Sequence, residues 1–264
     1  VASKVLSLAV LSDLHAQYLD PNAWNITLGA LGSRPVDVVV LNGDTCDFGQ
    51  IGKFDKRLFT YRMAMQEEMS LMEEIIEVKE NIFRRLRKAC PKARIVFRIG
   101  NHEERFTATR DSHPEALSTL LKTMRRLRSL ELEDVLDLDK YGIEMSYNDK
   151  DVFGGCYTTI HGHKTSKTAI EHYLHAYGSG TSGHTHSGNI RRRYHRGRLE
   201  TWAESMCLCR VRKIPYLPFG NEPEWVQGFI TARIKDGVVH QHQHVIHNTG
   251  NRYELDFYGE ILAA

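Results

Sequence analysis

The strongest constraint in this chain is a junction that recurs along it: short apolar runs end abruptly in a carboxylate, an amide or an imidazole. VLSLAVL (5–11) leads into Ser12-Asp13-Leu14-His15, and VDVVVL (36–41) into Asn42-Gly43-Asp44. RIVFRI (94–99) leads into Gly100-Asn101-His102-Glu103, and VFGGCYTTI (152–160) into His161-Gly162-His163. Short β-branched runs closed by Gly, Asn and Asp read as strands. Their near-continuous apolarity reads as burial on both faces, the habit of parallel sheets. A small-residue stretch, 178–183, leads into His184-Thr185-His186.

Between the second and third runs, Met65, Met69, Met72, Ile76, Ile82 and Leu86 recur at helical spacing, so a helix is expected over 58–90, stopped by Pro91. Strand–helix–strand in this order predicts a right-handed parallel βαβ unit. Further helices are expected over 115–130 and 165–177, and strands near 189–195, 198–209, 226–234 and 238–246. A chain that begins as βαβ and finishes as consecutive strands fits an α/β (α+β) fold, a two-layered β-sheet sandwich core flanked by helices. With no internal repeat or long linker, residues 1–264 read as one domain, with 103–140 as a candidate helical insertion.

In open α/β sheets ligands gather outside the carboxyl ends of the strands. The five junctions should therefore meet along one edge. Seven residues there could ligate metal: Asp13, His15, Asp44, Asn101, His161, His184 and His186. Carboxylate, imidazole and amide together suit Mn, Fe, Zn or Ni better than Ca or Mg, and the thiolates of structural zinc are missing. Seven ligands are too many for one tetrahedral ion and about right for two that share one carboxylate. Pairs of ions about 3.5–4 Å apart clamp both oxygens of a phosphoryl displacement.

Composition narrows the field further. The chain has 264 residues, 41% hydrophobic and 26% charged, which excludes a collagenous or wholly disordered chain. A net charge of +2 exerts no global pull toward nucleic acid. No apolar run approaches the roughly 20 residues that span a bilayer, and VASKVLSLAVLSD reads as a buried strand rather than a signal peptide. No membrane partner is expected. Five scattered cysteines make a poor disulfide framework and fit a reducing compartment, so a cytoplasmic location is expected. Cys207 and Cys209 share one strand face and read as small apolar fillers. His240, His242 and His244 also share a face, which reads as a polar, solvent-facing one. The charge polarity of the 58–90 helix, acidic at Glu67, Glu68, Glu73, Glu74 and Glu77 and basic at Arg84, Arg85, Arg87 and Lys88, complements the helix dipole, and Arg125, Arg126 and Arg128 could do the same for the next helix. Arg191, Arg192, Arg193, Arg196 and Arg198 lie on an expected hairpin soon after His186. They would either steer a polyanion or protect an edge strand, and both readings stay open.

The ordered blocks Asp13-x-His15, Gly43-Asp44-x-x-Asp47, Gly100-Asn101-His102-Glu103, His161 and Gly183-His184-x-His186 resemble the calcineurin-like metallophosphoesterase superfamily. The resemblance runs from residue 13 to residue 186. It implies that Asp13, His15, Asp44 and His186 hold one divalent ion, and that Asp44, Asn101, His161 and His184 hold the other, with Asp44 bridging. Manganese is the expected metal, with iron, zinc and nickel as alternatives. The resemblance further implies His102 as the residue that contacts substrate and protonates the leaving oxygen, Asp47 as its orienting carboxylate, and a metal-bridging hydroxide as nucleophile. Two positions depart from the phosphoprotein phosphatases of the superfamily: Phe48 stands where they carry a phosphate-gripping arginine, and Ala16 where they carry glycine. Arg105 could supply the missing phosphate contact. The tail, with Cys207-Leu208-Cys209, Tyr216 and Trp225-x-Gln227-Gly228-Phe229, is similar to bacteriophage and bacterial members, so a phage-encoded protein would act in the host cytoplasm. The function this implies is a dinuclear metal-dependent phosphodiesterase of nucleic acid (DNA or RNA) or nucleotides, a nuclease-like enzyme. The alternative is a phosphomonoesterase of phosphoprotein or a small metabolite; a non-catalytic binding scaffold ranks last.

Overall fold

Alternation along the first strand determines the layering. In β1 (Leu6–Leu11), Leu8 and Val10 point to one side and Ala9 and Leu11 to the other, and all four are buried. A computed structural model describes residues 4–51, 69–122, 124, 127–214, 224–250 and 252–264. In it β1 pairs in parallel with β2 (Val38–Asn42), β2 with β3 (Arg94–Arg98), and β3 with β4 (Ile143–Ser146).

The crossover from β1 to β2 is α1 (Pro21–Ser33), which starts at Asp20, whose carboxylate accepts from the backbone N–H of Asn22 and Ala23. The crossover from β2 to β3 ends in a helical stretch: α2 (Leu71–Glu77), a π-helical turn (Val78–Phe83) and α3 (Arg84–Ala89). Ser70 and Glu73 form a capping box at its start. The first part of the helix expected over 58–90, with Met65, Glu67 and Glu68, lies outside the described residues.

Of the helix expected over 115–130 only α5 (Pro114–Leu120) is helical among the described residues, and α4 (Glu103–Ser112) precedes it. The two are separated at His113 because a residue preceding proline is pushed out of the helical region; its φ and ψ are −141° and 55°. With α6 (Leu132–Val135) they occupy 103–140, between the adjacent strands β3 and β4. Arg125 and Arg126 lie outside the described residues.

The strand expected over 152–160 is a hairpin. Gly154 and Gly155, both at positive φ, turn β5 (Asp151–Phe153) back onto β6 (Tyr157–Ile160). After α7 (Ala169–Tyr177) come β7 (Gly180–Ser182), β8 (Ile190–His195) and β9 (Arg198–Glu204). They complete a five-stranded sheet in the order β5-β6-β7-β9-β8. The chain then returns to the first sheet with β10 (Gly228–Lys235), antiparallel to β1, followed by β11 (Val238–Asn248), β12 (Tyr253–Phe257) and β13 (Glu260–Ala263). That sheet runs β13-β12-β11-β10-β1-β2-β3-β4.

Leu8, Val10, Val38, Val40 and Val96 meet Phe153, Tyr157, Ala203 and Met206 between the sheets. Ala9, Leu11, Val39, Leu41, Ile95 and Phe97 meet Trp24, Ile75, Ile82 and Phe83 of the helices on the other side. Each such aliphatic or aromatic side chain contributes about 1.5–3 kcal/mol by leaving water. The protein is therefore a mixed α/β fold of two β-sheets flanked by helices. Among the described residues no helix is long and apolar enough to cross a membrane.

On β11, His240 and His242 are exposed as the alternation predicts, but His244 is buried. Its ring packs against Phe229 and Phe257, and its Nε2 lies 2.7 Å from Thr231 Oγ1. β12 and the turn after it supply Phe257 and Tyr258, whose rings pack around His244. Burial drives the His244 pKa down to about 4. A histidine depressed in the fold contributes stability above its unfolded pKa of about 6.5, lost as pH falls through 4. His244→Phe should therefore remove about 3 kcal/mol of acid sensitivity between pH 7 and pH 4, read from denaturant unfolding at both pH values. An unchanged pH dependence would contradict it.

Candidate active site

Parallel pairing brings the strand ends together. The loop after β1 is stitched to the loop after β2 by His15 N–H to Asp44 O (2.9 Å) and Ala16 N–H to Thr45 O (2.9 Å). Asp13, His15, Asp44, His184 and His186 all sit in the left-handed region, with φ between 45° and 71°. That conformation is costly for non-glycine residues, and surrounding contacts must hold it. Gly100 is the complementary case: a Cβ there would overlap the Asp44 carboxylate and its backbone nitrogen.

Two nests of donor atoms result. In the first, Asp13, His15 and His186 converge, with His186 Nε2 3.1 Å from Asp13 Oδ1 and 3.1 Å from His15 Nε2. In the second, Asp44, His161 and His184 converge, with His161 Nε2 3.2 Å from Asp44 Oδ2. Asn101 Oδ1 lies 3.0 Å from His161 Nε2 and 2.8 Å from His184 Nδ1. Asp44 also groups with His15 and His102, linking the nests.

Tautomers follow from the outer partners. His15 Nδ1 is 3.0 Å from the Asp47 carboxylate and His161 Nδ1 is 2.9 Å from the Asn42 carbonyl. Both partners can only accept, so each Nδ1 carries the hydrogen and each Nε2 turns a lone pair inward. In the second nest that lone pair meets a carboxylate and an amide oxygen. Such an arrangement repels itself unless a positive charge sits within it. Burial alone would lower the His161 pKa, but the charges of Asp44 and Asp13 push it up to about 10. Burial alone would raise Asp44, yet His161 and His102 hold it well below the usual carboxylate range. His186 is raised by Asp13 against the effect of burial, and its buried Nδ1 finds no hydrogen-bond partner among the described residues. His15 and His184 are lowered, chiefly by burial and then by neighbouring imidazoles. The donor set suits divalent cations, which would take the place of those protons.

His102 stands beside both nests. Its Nδ1 is 2.9 Å from the Asp47 carbonyl and 3.1 Å from the Asp47 carboxylate, so Nε2 faces the cavity, 3.9 Å from Asp44 Oδ2. Burial pulls its pKa down, but Asp44 and Asp47 together raise it to about 9. Arg105 donates to the Asp47 carbonyl (2.9 Å) and reaches His102 Nε2 (3.2 Å). The cavity, about 580 Å³, is lined by Asp44, Asn101, His102, Arg105, Lys167, His184, His186 and Trp225 among others.

Two acids beneath the loops carry weight that their sequence positions do not advertise. Glu103 accepts from the backbone N–H of Asp44 (2.9 Å), Cys46 (2.8 Å) and Gly100 (2.8 Å). Glu74 accepts from Asp47 and Phe48 N–H and from Gln50 Nε2 (3.0 Å). Both are fully buried, and burial with a neighbouring aspartate raises each pKa to about 7. Glu74 passes in the sequence as one acid of the helix-dipole pattern. The missed signal is its place on the buried stripe Leu71, Ile75, Val78. Gln17, which donates to Asp47 Oδ2 (2.8 Å), carried no such signal.

The arginine hairpin belongs elsewhere. Arg191 faces Glu171 (3.6 Å) and Arg193 pairs with Glu200 (2.7 Å), and none of residues 191–198 lines the cavity. His163 is exposed. Cys207 and Cys209 are buried with Tyr18 and Ile214, within reach of His186. Tyr216 lies outside the described residues.

Comparison with known proteins adds family membership. No curated protein matches the chain. Solved structures overlap it along almost its whole length, but loosely. Vps29 complexed with zinc from Entamoeba histolytica is 13% identical, with TM-score 0.44, covering 98% of this chain and 97% of that one. Vps29 from Chaetomium thermophilum is 11% identical, with TM-score 0.47 and coverage of 98% and 97%. A dimetal phosphatase from Danio rerio is 12% identical, with TM-score 0.42 and 98% of both chains covered. The calcineurin-like phosphoesterase family model matches residues 6–260, and so, with its paired nests of metal-capable side chains at the strand ends, the chain belongs to the calcineurin-like phosphoesterase family.

Proposed function

We propose that this chain is a divalent-metal-dependent phosphodiesterase acting on nucleic acid or nucleotides, with 1–264 as one catalytic domain. The observation that carries the reading is the pair of lone-pair nests linked through Asp44, with the Nε2 of His102 turned into the same cavity. Asp13, His15, Asp44 and His186 would hold one cation, and Asp44, Asn101, His161 and His184 the other. When bound, such a pair supplies charge neutralisation at the phosphate and an acidified water at neutral pH. Manganese is the first metal to supply.

The chain's own residues do the rest. Asp47 holds His15 and His102 at once, orienting a ligand and a proton donor through one carboxylate. His102, held by its Nδ1, presents Nε2 to the leaving oxygen. Arg105, anchored on the Asp47 carbonyl, brings a guanidinium beside the same point and can contact a phosphate oxygen.

With Mn²⁺ the protein should hydrolyse bis(p-nitrophenyl) phosphate, and His102→Ala should lose about 10²–10³-fold in kcat, within the range for a positioned general acid. A variant as active as the parent would remove His102 from the reaction. The placement of Arg105 in the cavity favours a second reading, a phosphomonoesterase whose dianionic phosphate it would grip. Faster turnover of p-nitrophenyl phosphate than of the diester would select that reading.

A further inference from the structure

The carboxyl end of β9 carries an acid that neither nest uses. β9 runs parallel to β7, with Glu204 opposite Ser182, and β7 runs parallel to β6. Glu204 therefore closes its strand on the edge that holds His161 and His184, where ligands of parallel sheets gather. Its backbone N–H donates to the Asn189 carbonyl (2.9 Å), and the next N–H, of Ser205, donates to the Ser182 carbonyl (2.8 Å). Glu204 lines the cavity beside the nests, yet only 4% of the residue is exposed. Its Oε2 accepts from Ser187 Oγ (2.5 Å) and from Asn189 Nδ2 (2.7 Å). Both donors follow closely on His186, so the loop that carries His184 and His186 also fixes this carboxylate. Oε1 has no hydrogen-bond partner among the described residues, and no cation there pairs with the group.

A carboxylate held almost wholly out of water through one oxygen offers the other as a preset acceptor, and leaving that oxygen unmatched is costly. A carboxylate accepts hydrogen bonds and donates none, so the group it recognises must be a donor. Two kinds of donor would serve, a cationic amine and a neutral hydroxyl. Arg105 and Lys167 line the same cavity and oppose a second cation, whereas a hydroxyl meets no such opposition. Glu224 is also in the lining, but it is exposed and screened by solvent. In a nucleotide the hydroxyls stand on the sugar. Within a strand the 3′-oxygen carries the next phosphate, which leaves the 2′-hydroxyl as donor, the group that separates ribose from deoxyribose. We propose that Glu204 accepts a hydrogen bond from the 2′-hydroxyl of a nucleotide whose phosphate lies at the nests, making the site selective for ribonucleotides over deoxyribonucleotides. This rests on the phosphodiesterase reading for the scissile step, while the recognition can be measured without turnover.

The test uses the full chain with Mn²⁺ and two dinucleotides, UpU and dUpdU, whose cleavage is followed by chromatography. The parent should favour UpU by about 10–100-fold in kcat/KM, the range of one hydrogen bond to a charged acceptor, because the deoxy substrate leaves that acceptor unmatched. Glu204→Ala should bring the ratio to about one, and Glu204→Gln, which keeps the volume and removes the charge, to about threefold. Both substrates meet the same protein, so a loss of folded enzyme lowers both rates and leaves the ratio unmoved. In a second arm, calorimetry compares the 3′- and 5′-monophosphates of uridine with those of deoxyuridine. The parent should bind the uridine compounds more tightly, and Glu204→Ala should bind the two sets alike. Hydrolysis of bis(p-nitrophenyl) phosphate with equal turnover of UpU and dUpdU overturns the proposal and leaves the hydrolase reading in place. A ribose preference that persists in Glu204→Ala overturns it as well. Should the parent show the Glu204-dependent preference in binding yet cleave neither the dinucleotides nor bis(p-nitrophenyl) phosphate, the role of Glu204 stands and the hydrolase reading falls.

Discussion

Asp44→Ala should lower kcat on bis(p-nitrophenyl) phosphate by at least about 10³-fold, a loss near 4 kcal/mol of transition-state stabilisation. Elemental analysis of the manganese-loaded protein should fall from about two ions per chain to one or fewer. Asp44 belongs both to the group with His161 and His184 and to the group with His15 and His102, so its removal strips negative charge from between the two proposed cation positions at once. It also accepts the backbone N–H of His102 through Oδ1 (2.9 Å), so the loss unfastens the proposed proton donor. Asp44→Asn separates the effects, keeping an acceptor for His102 and removing the charge. It should fold as the parent does and still fail to hold the second ion. Two ions and normal turnover in Asp44→Asn would exclude the bridging role.

Glu103→Ala should be the most destabilising single change at the site. Three buried backbone N–H groups, from Asp44, Cys46 and Gly100, lose their acceptor together. A buried donor left unmade costs about 1–3 kcal/mol, so the sum is about 3–9 kcal/mol, a large share of the 5–15 kcal/mol typical of a folded protein. At about 2–4 °C per kcal/mol for a chain of this size, Tm should fall by at least about 6 °C. Glu103→Gln keeps one acceptor oxygen and should lose about half as much. Glu73→Ala, which removes only an exposed capping contact on α2, should cost far less. Thermal unfolding of the metal-free proteins makes the comparison. A Glu103→Ala variant melting within 2 °C of the parent would show that water or backbone adjustment satisfies the three groups.

These acids mark where sequence reading stops. β1, β2 and β3 were legible because continuous β-branched apolarity is a local property, and the residues that close each run were legible because turn chemistry is local too. β4, β12 and β13 were not read: β4 and β13 span only four residues each, whereas Tyr253–Phe257 (YELDF) does alternate apolar with polar and carried a strand signal that was missed. The 152–160 element was read too long because apolar content masked the Gly154-Gly155 turn, and the 115–130 element because Met124, Leu127 and Leu130 continue its apolar pattern past the end of α5 at Leu120. His244 shares its alternation with two exposed histidines, and only the strands that follow decide that it is buried.

The sequence by itself determined which metal-capable side chains stand at strand ends and in what order, since that depends on neighbours a few residues apart. The tertiary structure alone decided which of them touch. It placed Glu74 under Asp47 across 27 residues and His186 against Asp13 across 173, and kept residues 191–198 out of the lining of the cavity. The physical reason is that these contacts follow from strand pairing and sheet stacking, where partners are selected by register and burial over the whole chain and not by local pattern.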